Sequence, residues 1–180
     1  TLNIIDDSYN SNPVGSKMAL EVLSLMPGKK IIVTPGMIEL GSEQYISNFE
    51  FGRSIADACD EVILIGKEQT KPIYDGLMDK KYSEEKIHVL NDVKLAFNLI
   101  KQLEDGETYV LLENDLPDIF NEVSHIEKLI LTGNCLQLLP NSAIHLEKLI
   151  SVEIEQENIN ILPEKLKNIK HLNIKIKANK

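Results

Sequence analysis

The sequence has no tryptophan, only two cysteines and few aromatic residues of any kind. Cys59 and Cys135 lie far apart and form no C-x-x-C pair, which excludes the metal and redox motifs built on that spacing. Both read as reduced, small, buried apolar residues of a cytosolic protein. No apolar run approaches the ~18 to 20 residues that cross a bilayer. Asp6 and Asp7 interrupt the chain before a signal-peptide core could form, so the expected location is cytoplasmic. A first residue other than Met reads as a piece of a longer protein. The motifs of self-contained catalysis are missing too. There is no G-x-x-x-x-G-K-[ST] phosphate loop: Gly66-Lys67 is followed by Glu68, where a hydroxyl is needed to hold Mg²⁺. G-x-G-x-x-G, H-E-x-x-H, zinc spacing and the G-x-S-x-G elbow are all absent. His88, His125, His145 and His171 are scattered and read as strand or surface residues. Neither a catalytic residue nor a metal ligand is assigned.

Charge divides the chain. The overall net charge is −9, with residues 1–123 near −11 and residues 124–180 near +2. An acidic first part argues against nucleic-acid binding, which needs a basic surface to replace counterions, and the second part is too weakly basic to argue for it.

The first part alternates short β-branched runs with helical stretches. Strands are expected at Leu2–Ile5, Ile31–Val33, Val62–Ile65, Ile87–Leu90 and Tyr109–Leu112, the last completing the sheet. Helices are expected over about 14–25, 42–59, 70–80 and 92–103. The first would set Met18, Val22 and Leu25 on one face, the second would be capped by Ser42, and the fourth by Asn91 or Asp92. This alternation predicts an α/β fold: a Rossmann-like, mostly parallel sheet sandwiched by helices through right-handed crossovers. Ligands of such sheets sit beyond the C-terminal strand ends, here the loops after Ile5, Val33, Ile65 and Leu112.

The second part changes period. Leu139-Pro140 recurs as Leu162-Pro163, 23 residues on. Leu149, Val152, Ile154 and Ile159 likewise repeat Ile126, Leu129, Leu131 and Leu136. With Asn134 where an inward-turned Asn belongs, the segment resembles the 23-residue leucine-rich repeat. Glu157 replaces that Asn in the next unit, and Lys175 and Lys177 fall on formerly apolar positions, as in a terminal cap. Two domains follow, 1–121 and 122–180.

Three polar loops remain as candidate sites. In Asp6-Asp7-Ser8-Tyr9-Asn10-Ser11-Asn12-Pro13, a carboxylate after a strand can accept ribose hydroxyls. Tyr9 offers a face to a base, Asn10 and Asn12 offer amides, and a helix N-terminus points into the same crevice. The plainer reading is a capped turn. In Thr34-Pro35-Gly36-Met37-Ile38-Glu39-Leu40-Gly41, the two glycines imply positive φ or close backbone approach, and the plainer reading is a tight link. Glu113-Asn114-Asp115-Leu116-Pro117-Asp118 is either a substrate loop or a solvated acidic one.

Together these loops resemble the C-terminal domain of the Mur ligases, in particular the MurF type that adds D-alanyl-D-alanine to the muramoyl tripeptide. The pattern is D-D-x-Y-N-x-N-P, a helix beginning Ser-x-Met, then G-x-M-x-E-L-G. Asp6, Asp7, Tyr9, Asn10, Asn12, Pro13, Ser16, Met18, Gly36, Met37, Glu39, Leu40 and Gly41 fit it, and the resemblance spans about residues 2–120. It implies the ATP-contacting domain of a three-domain carboxylate–amine ligase of peptidoglycan precursor synthesis, inactive in isolation. The phosphate loop, ATP and Mg²⁺ would belong mainly to a central domain, and the UDP-sugar to an N-terminal one. Asp7 would hold the ribose, Tyr9, Asn10 and Asn12 would approach the nucleotide, and Gly36, Met37, Glu39, Asn48, Glu113, Asn114 and Asp115 would border the amino substrate. The MurF type usually has Lys-Gly-Ser where Glu113-Asn114-Asp115 stand, and often His at the place of Asn48. An anionic loop there would repel a substrate carboxylate. T-P-G-M-x-E-L-G paired with E-N-D-L-P-D looks closer to a Mur-ligase-like branch. The alternative is a non-catalytic module whose repeats bind a protein partner. Neither reading invokes nucleic acid or membrane.

Overall fold

The computed structural model describes residues 1–7, 12–114, 128–132, 151–155 and 173–176. Eight strands are present among them: β1 (Leu2–Asp7), β2 (Lys29–Thr34), β3 (Glu61–Ile65), β4 (Ile87–Leu90), β5 (Thr108–Glu113), β6 (Lys128–Thr132), β7 (Ser151–Glu155) and β8 (Asn173–Ile176). They form one sheet in the order β4-β3-β2-β5-β1-β6-β7-β8, with every pairing parallel. Four helices join the first five: α1 (Pro13–Ser24), α2 (Gln44–Ala58), α3 (Lys71–Asp79) and α4 (Val93–Leu103). The expected α/β class and all four helices are present.

Strand periodicity sorts the core into two layers. Ile5, Ile32, Val62, Leu64, Tyr109, Leu111 and Ile130 pack with Ala19, Leu20 and Leu23 of α1, Phe51 and Ile55 of α2, and Ile73 and Leu77 of α3. Their buried neighbours in sequence, such as Ile4, Ile31, Ile63 and Val110, face the other way. The connection through α4 runs back across the sheet, so the right-handed rule sets that helix on this second face. Its buried stripe is Val93, Ala96, Phe97 and Ile100.

Several local expectations are corrected. Helix α1 buries Gly15, Ser16, Ala19, Leu20 and Leu23, while Met18 is 59% and Leu25 82% exposed. Small residues at the start of the buried stripe let α1 approach the strand ends, which the bulkier Met18 face would prevent. Ser42 does not cap α2: residues Gly41–Glu43 form a 3₁₀ turn, and neither it nor α2 has a side-chain cap. Asp92 does cap α4, accepting from the Lys94 N–H at 2.9 Å. Cys59 is free and buried, and burial pushes its thiol pKa up; Cys135 lies outside the described residues.

Helices α2 and α3 touch backbone to backbone at two glycines. A Cβ on Gly52 would stand 2.2 Å from the Ile73 carbonyl oxygen, and one on Gly76 would stand 2.0 Å from that of Phe49. Neither obstacle can swing away, since both are main-chain atoms.

The sheet does not end at β5. Strand β6 pairs with β1, matching Asn3–Asp6 to Lys128–Leu131, and Leu129 and Ile130 are buried. The boundary near residue 121 is a change of sequence period without a break in the sheet. Lys128, Ser151 and Asn173 stand side by side at intervals of 23 and then 22 residues. The second interval corrects the reading of the last unit. Ile174 pairs with Val152 and Ile176 with Ile154, so isoleucines, not Lys175 and Lys177, continue the apolar rows. A one-residue slip exchanges the two faces of a strand, which is why a strict count of 23 chose the lysines. Asn134 and Glu157 lie outside the described residues.

Two stability outcomes follow. Gly76→Ala should lower the unfolding free energy by about 3 kcal/mol, because overpacking against backbone cannot relax through a rotamer change; urea denaturation measures it. Ending the chain at Val123 removes Leu129 and Ile130, each worth about 1.5–3 kcal/mol when fully buried. The shortened chain should therefore melt below the 180-residue chain in calorimetry, and equal melting temperatures would contradict it.

Candidate functional site

Strand β5 is where the winding reverses. The chain leaves β1, β2 and β3 toward the β4 edge, but leaves β5 toward the β8 edge. Open α/β sheets form their ligand crevice at such a reversal, beyond the C-terminal strand ends. The residues at those ends are Asp6 and Asp7 on β1, Thr34 on β2, and Glu113 and Asn114 on and just after β5; all five are buried.

Hydrogen bonds tie these ends together. The Asn114 amide donates to Thr34 Oγ1 at 3.1 Å, and the Gly36 N–H donates to the same oxygen at 3.0 Å. Ser16 Oγ, from the first turns of α1, makes a long 3.5 Å contact to Asn114 Oδ1. Thus α1, the loop after β2 and the loop after β5 share one polar knot. Asn114 adopts φ 66°, a left-handed conformation that Asn tolerates better than most residues. Ser16 and Thr34 had no separate role in the sequence reading. The available signal was a threonine ending the otherwise apolar run of β2.

Asn48 works on the second loop. Its Oδ1 accepts from the Met37 N–H at 2.8 Å, while its Nδ2 donates to the Met37 carbonyl at 2.9 Å and the Gln44 carbonyl at 2.8 Å. Both amide hydrogens are thereby engaged, so Asn48 clamps the loop from within. Gly36 and Gly41 have φ of 82° and 57°, as their sequence positions imply. Exposed Glu39, between them, also takes a left-handed φ of 61°. That conformation is uncommon for a residue with a Cβ and presents Glu39 outward from a loop pinned at both ends. Met37 is buried in the core and forms one wall of a cavity of about 250 Å³, with Pro13, Lys17, Ile46, Phe51 and Ser54 among the others. A more polar cleft of about 410 Å³ opens between Gly41, Gln44 and Tyr45 on one side and Glu68, Gln69 and Pro72 on the other.

The first loop is described at its two ends. Asn12 caps α1, accepting from the Gly15 N–H at 2.9 Å, with Pro13 in the first turn. Asp7 is 1% exposed and stands in register with Glu113 on the adjacent strand. Tyr9, Asn10 and Asp115 lie outside the described residues.

Glu113 departs from the picture of a solvated acidic loop: it is wholly buried. Its carboxyl pKa is raised well above the usual carboxylate range, first by burial and then by the Asp7 carboxylate beside it, with the Ser16 hydroxyl opposing. Its carboxyl does not reach the surface, so it does not form part of the exposed acidic loop that the sequence suggests. Among the described residues no three His, Cys, Asp or Glu side chains stand together as a metal site. None of the described helices is long and apolar enough to cross a membrane. His88 is a strand residue paired with Glu61 at 3.0 Å.

Comparison with known proteins places this arrangement. Residues 1–112 match the family described as Mur ligase, glutamate ligase domain. The UDP-N-acetylmuramoyl-tripeptide--D-alanyl-D-alanine ligase of Buchnera aphidicola is 34% identical over 126 residues, covering 66% of this chain and 27% of that protein. The enzyme of the same name from Escherichia coli is 36% identical over 66 residues, covering 36% and 15%. The fold resembles MurF from Acinetobacter baumannii, with a TM-score of 0.52 at 20% identity over 65% of this chain and 26% of that one. It also resembles MurF from Thermotoga maritima, solved in complex with ADP, with a TM-score of 0.51 at 24% identity over 63% and 25%. The chain thus spans about a quarter or less of the length of these relatives. By the match over residues 1–112, it belongs to the Mur ligase family and carries that family's glutamate ligase domain.

Proposed function

We propose that this chain is the nucleotide-facing C-terminal domain of an ATP-dependent carboxylate–amine ligase acting on a peptidoglycan precursor. The observation that carries the reading is the convergence of the β1, β2 and β5 ends at the winding reversal, in a chain whose first 112 residues match the Mur ligase family. The solved Thermotoga relative, crystallised with ADP, supports nucleotide use by the whole enzyme. The reaction would be phosphorylation of a carboxylate, followed by attack of an amine on the acyl phosphate.

The chain lacks a phosphate loop, so the triphosphate and Mg²⁺ would be held chiefly by another domain. This domain would close over the nucleotide with the loop 7–12. Tyr9 and Asn10 would meet the base and sugar. Asn12, as the helix cap, and Asp7, as the buried root, would fix the path of the loop between them. Gly36, Met37 and Glu39, clamped by Asn48, and Asn114 with Asp115 would border the amino substrate. Only Glu39 of the described members projects into solvent, which makes it the member best placed to touch that substrate.

For residues 122–180 we propose a leucine-rich-repeat-like extension presenting a strand face to a protein partner. The in-register parallel strands at 23- and 22-residue intervals support it.

Three outcomes test these readings. The 180-residue chain alone should release no phosphate from ATP, with or without amine, and turnover would refute the division of labour. In the full-length protein, Tyr9→Ala should raise the KM for ATP by about tenfold, the equivalent of ~1.4 kcal/mol. The KM for the amino substrate should change less than twofold; an unchanged KM for ATP would remove Tyr9 from the nucleotide site. Deleting residues 133–180 while keeping β6 should leave both KM values within twofold, if the extension serves a partner rather than the reaction.

A further inference from the structure

Helices α1 and α2 leave a groove between them at the same end of the sheet as the candidate site. Its volume is about 250 Å³, room for about eight waters at ~30 Å³ each. Pro13 and Lys17 line it from α1, the first half of α2 lines it from the other side, and Met37 contributes from the loop after β2. Met37 and Phe51 are anchored in the core, while Ile46 is 46% exposed at the surface of α2. Carbon walls of this kind favour a ligand that covers them with an apolar body. One charge lining the groove is uncommitted. Among the described residues Lys17 forms no hydrogen bond or ion pair, whereas Glu50, from α2, is held by Arg53 at 3.5 Å. Lys17 is also the only cation among the described residues of the loops after β1, β2 and β5 and the first two turns of α1 and α2.

We propose that this groove holds the carboxylate end of the amine-bearing substrate, with Lys17 as the residue that selects for it; the proposal rests on the ligase reading above. Charge and shape argue for that occupant over a nucleotide phosphate. The flexible stem of a lysine lets its ammonium follow a carboxylate within the groove. The carbon surfaces of Met37, Ile46 and Phe51 suit a ligand with a short apolar body better than a string of phosphates. Any second negative charge would meet Glu50, which favours a singly charged group. Lys17 lies four residues, about 6 Å along the helix axis, beyond Pro13, where the loop from β1 has ended. A short molecule anchored at Lys17 can therefore extend its amine toward the strand ends. Lys17 would touch the part of the substrate that does not react, so it governs which amine is accepted and leaves the chemistry to other groups.

The probe is dialanine, which carries an amine, a short apolar body and one free carboxylate; its C-terminal carboxamide and inorganic phosphate are the controls. The 180-residue chain, methyl-labelled at Met and Ile, is titrated with each up to about 50 mM, beyond the ~1 mM upper end of ordinary KM values. Dialanine should shift the Met37 and Ile46 methyl resonances saturably, and the carboxamide should bind at least fivefold more weakly. Lys17→Met replaces an exposed residue with another good helix former and should erase that difference. Silent methyls overturn the proposal. So does a carboxamide that binds as well as the acid, a preference that survives Lys17→Met, or an equal shift from phosphate. In the full-length protein the same substitution should raise the KM for the amino substrate at least fivefold and leave the KM for ATP within twofold; the reverse pattern would assign Lys17 to the nucleotide and overturn the proposal. The two readings fail separately. Saturable methyl shifts beside a full-length protein without ligase turnover would remove the ligase reading and keep the groove as a carboxylate site, whereas silent methyls beside an active ligase would remove the groove alone.

Discussion

Complete burial of β5 is the constraint on which the remaining architecture depends. All six of its residues are inaccessible, including Thr108 at one end and Glu113 at the other. It is hydrogen-bonded to β2 on one side and β1 on the other, and core layers cover both its faces. A strand in that position must be threaded in after its neighbours have been laid down in sequence, which reverses the winding and opens the crevice beside it. It also carries its last polar residues into the interior. The burial of polar groups at the strand ends is thus a consequence of topology: Glu113 is buried because β5 is central.

Much of the first part was legible in its residues. Continuous apolar runs marked strands covered on both faces, and Gly36 and Gly41 announced their positive φ. Asp92 announced its cap. What escaped was decided by contacts far apart in sequence. The face of α1 was misread because both sides of that helix carry apolar residues, and only packing against the sheet selects Ala19, Leu20 and Leu23. Gly52 and Gly76 have no part in the sequence reading; their necessity arises from a helix crossing that no local pattern encodes. The continuation of the sheet through β6 was invisible for the same reason. A parallel neighbour is specified by register with β1, more than a hundred residues away, and not by anything near Lys128.

The candidate site was legible as loops but not as a mechanism for holding them. Sequence position brought Asp7, the Gly36–Gly41 segment and Glu113–Asn114 to one end of the sheet. It did not reveal that Asn48 spends its amide on the backbone of Met37, or that Thr34 serves two donors at once. These interior bonds distinguish residues that fix the loops from residues that remain free to meet a ligand. Of the described candidates, Glu39 belongs to the second group, whereas Met37, Asn48 and Asn114 are buried and belong to the first.

The lateral join between β1 and β6 has a mechanical meaning. Four consecutive register pairs bind the two strands, and parallel neighbours loaded along their length resist sliding through all such bonds together. A load on β7 or β8 would pass through those pairs to β1 as shear, as far as Asp6, one residue before β1 ends. Whatever held β7 or β8 would thereby brace β1 without touching it.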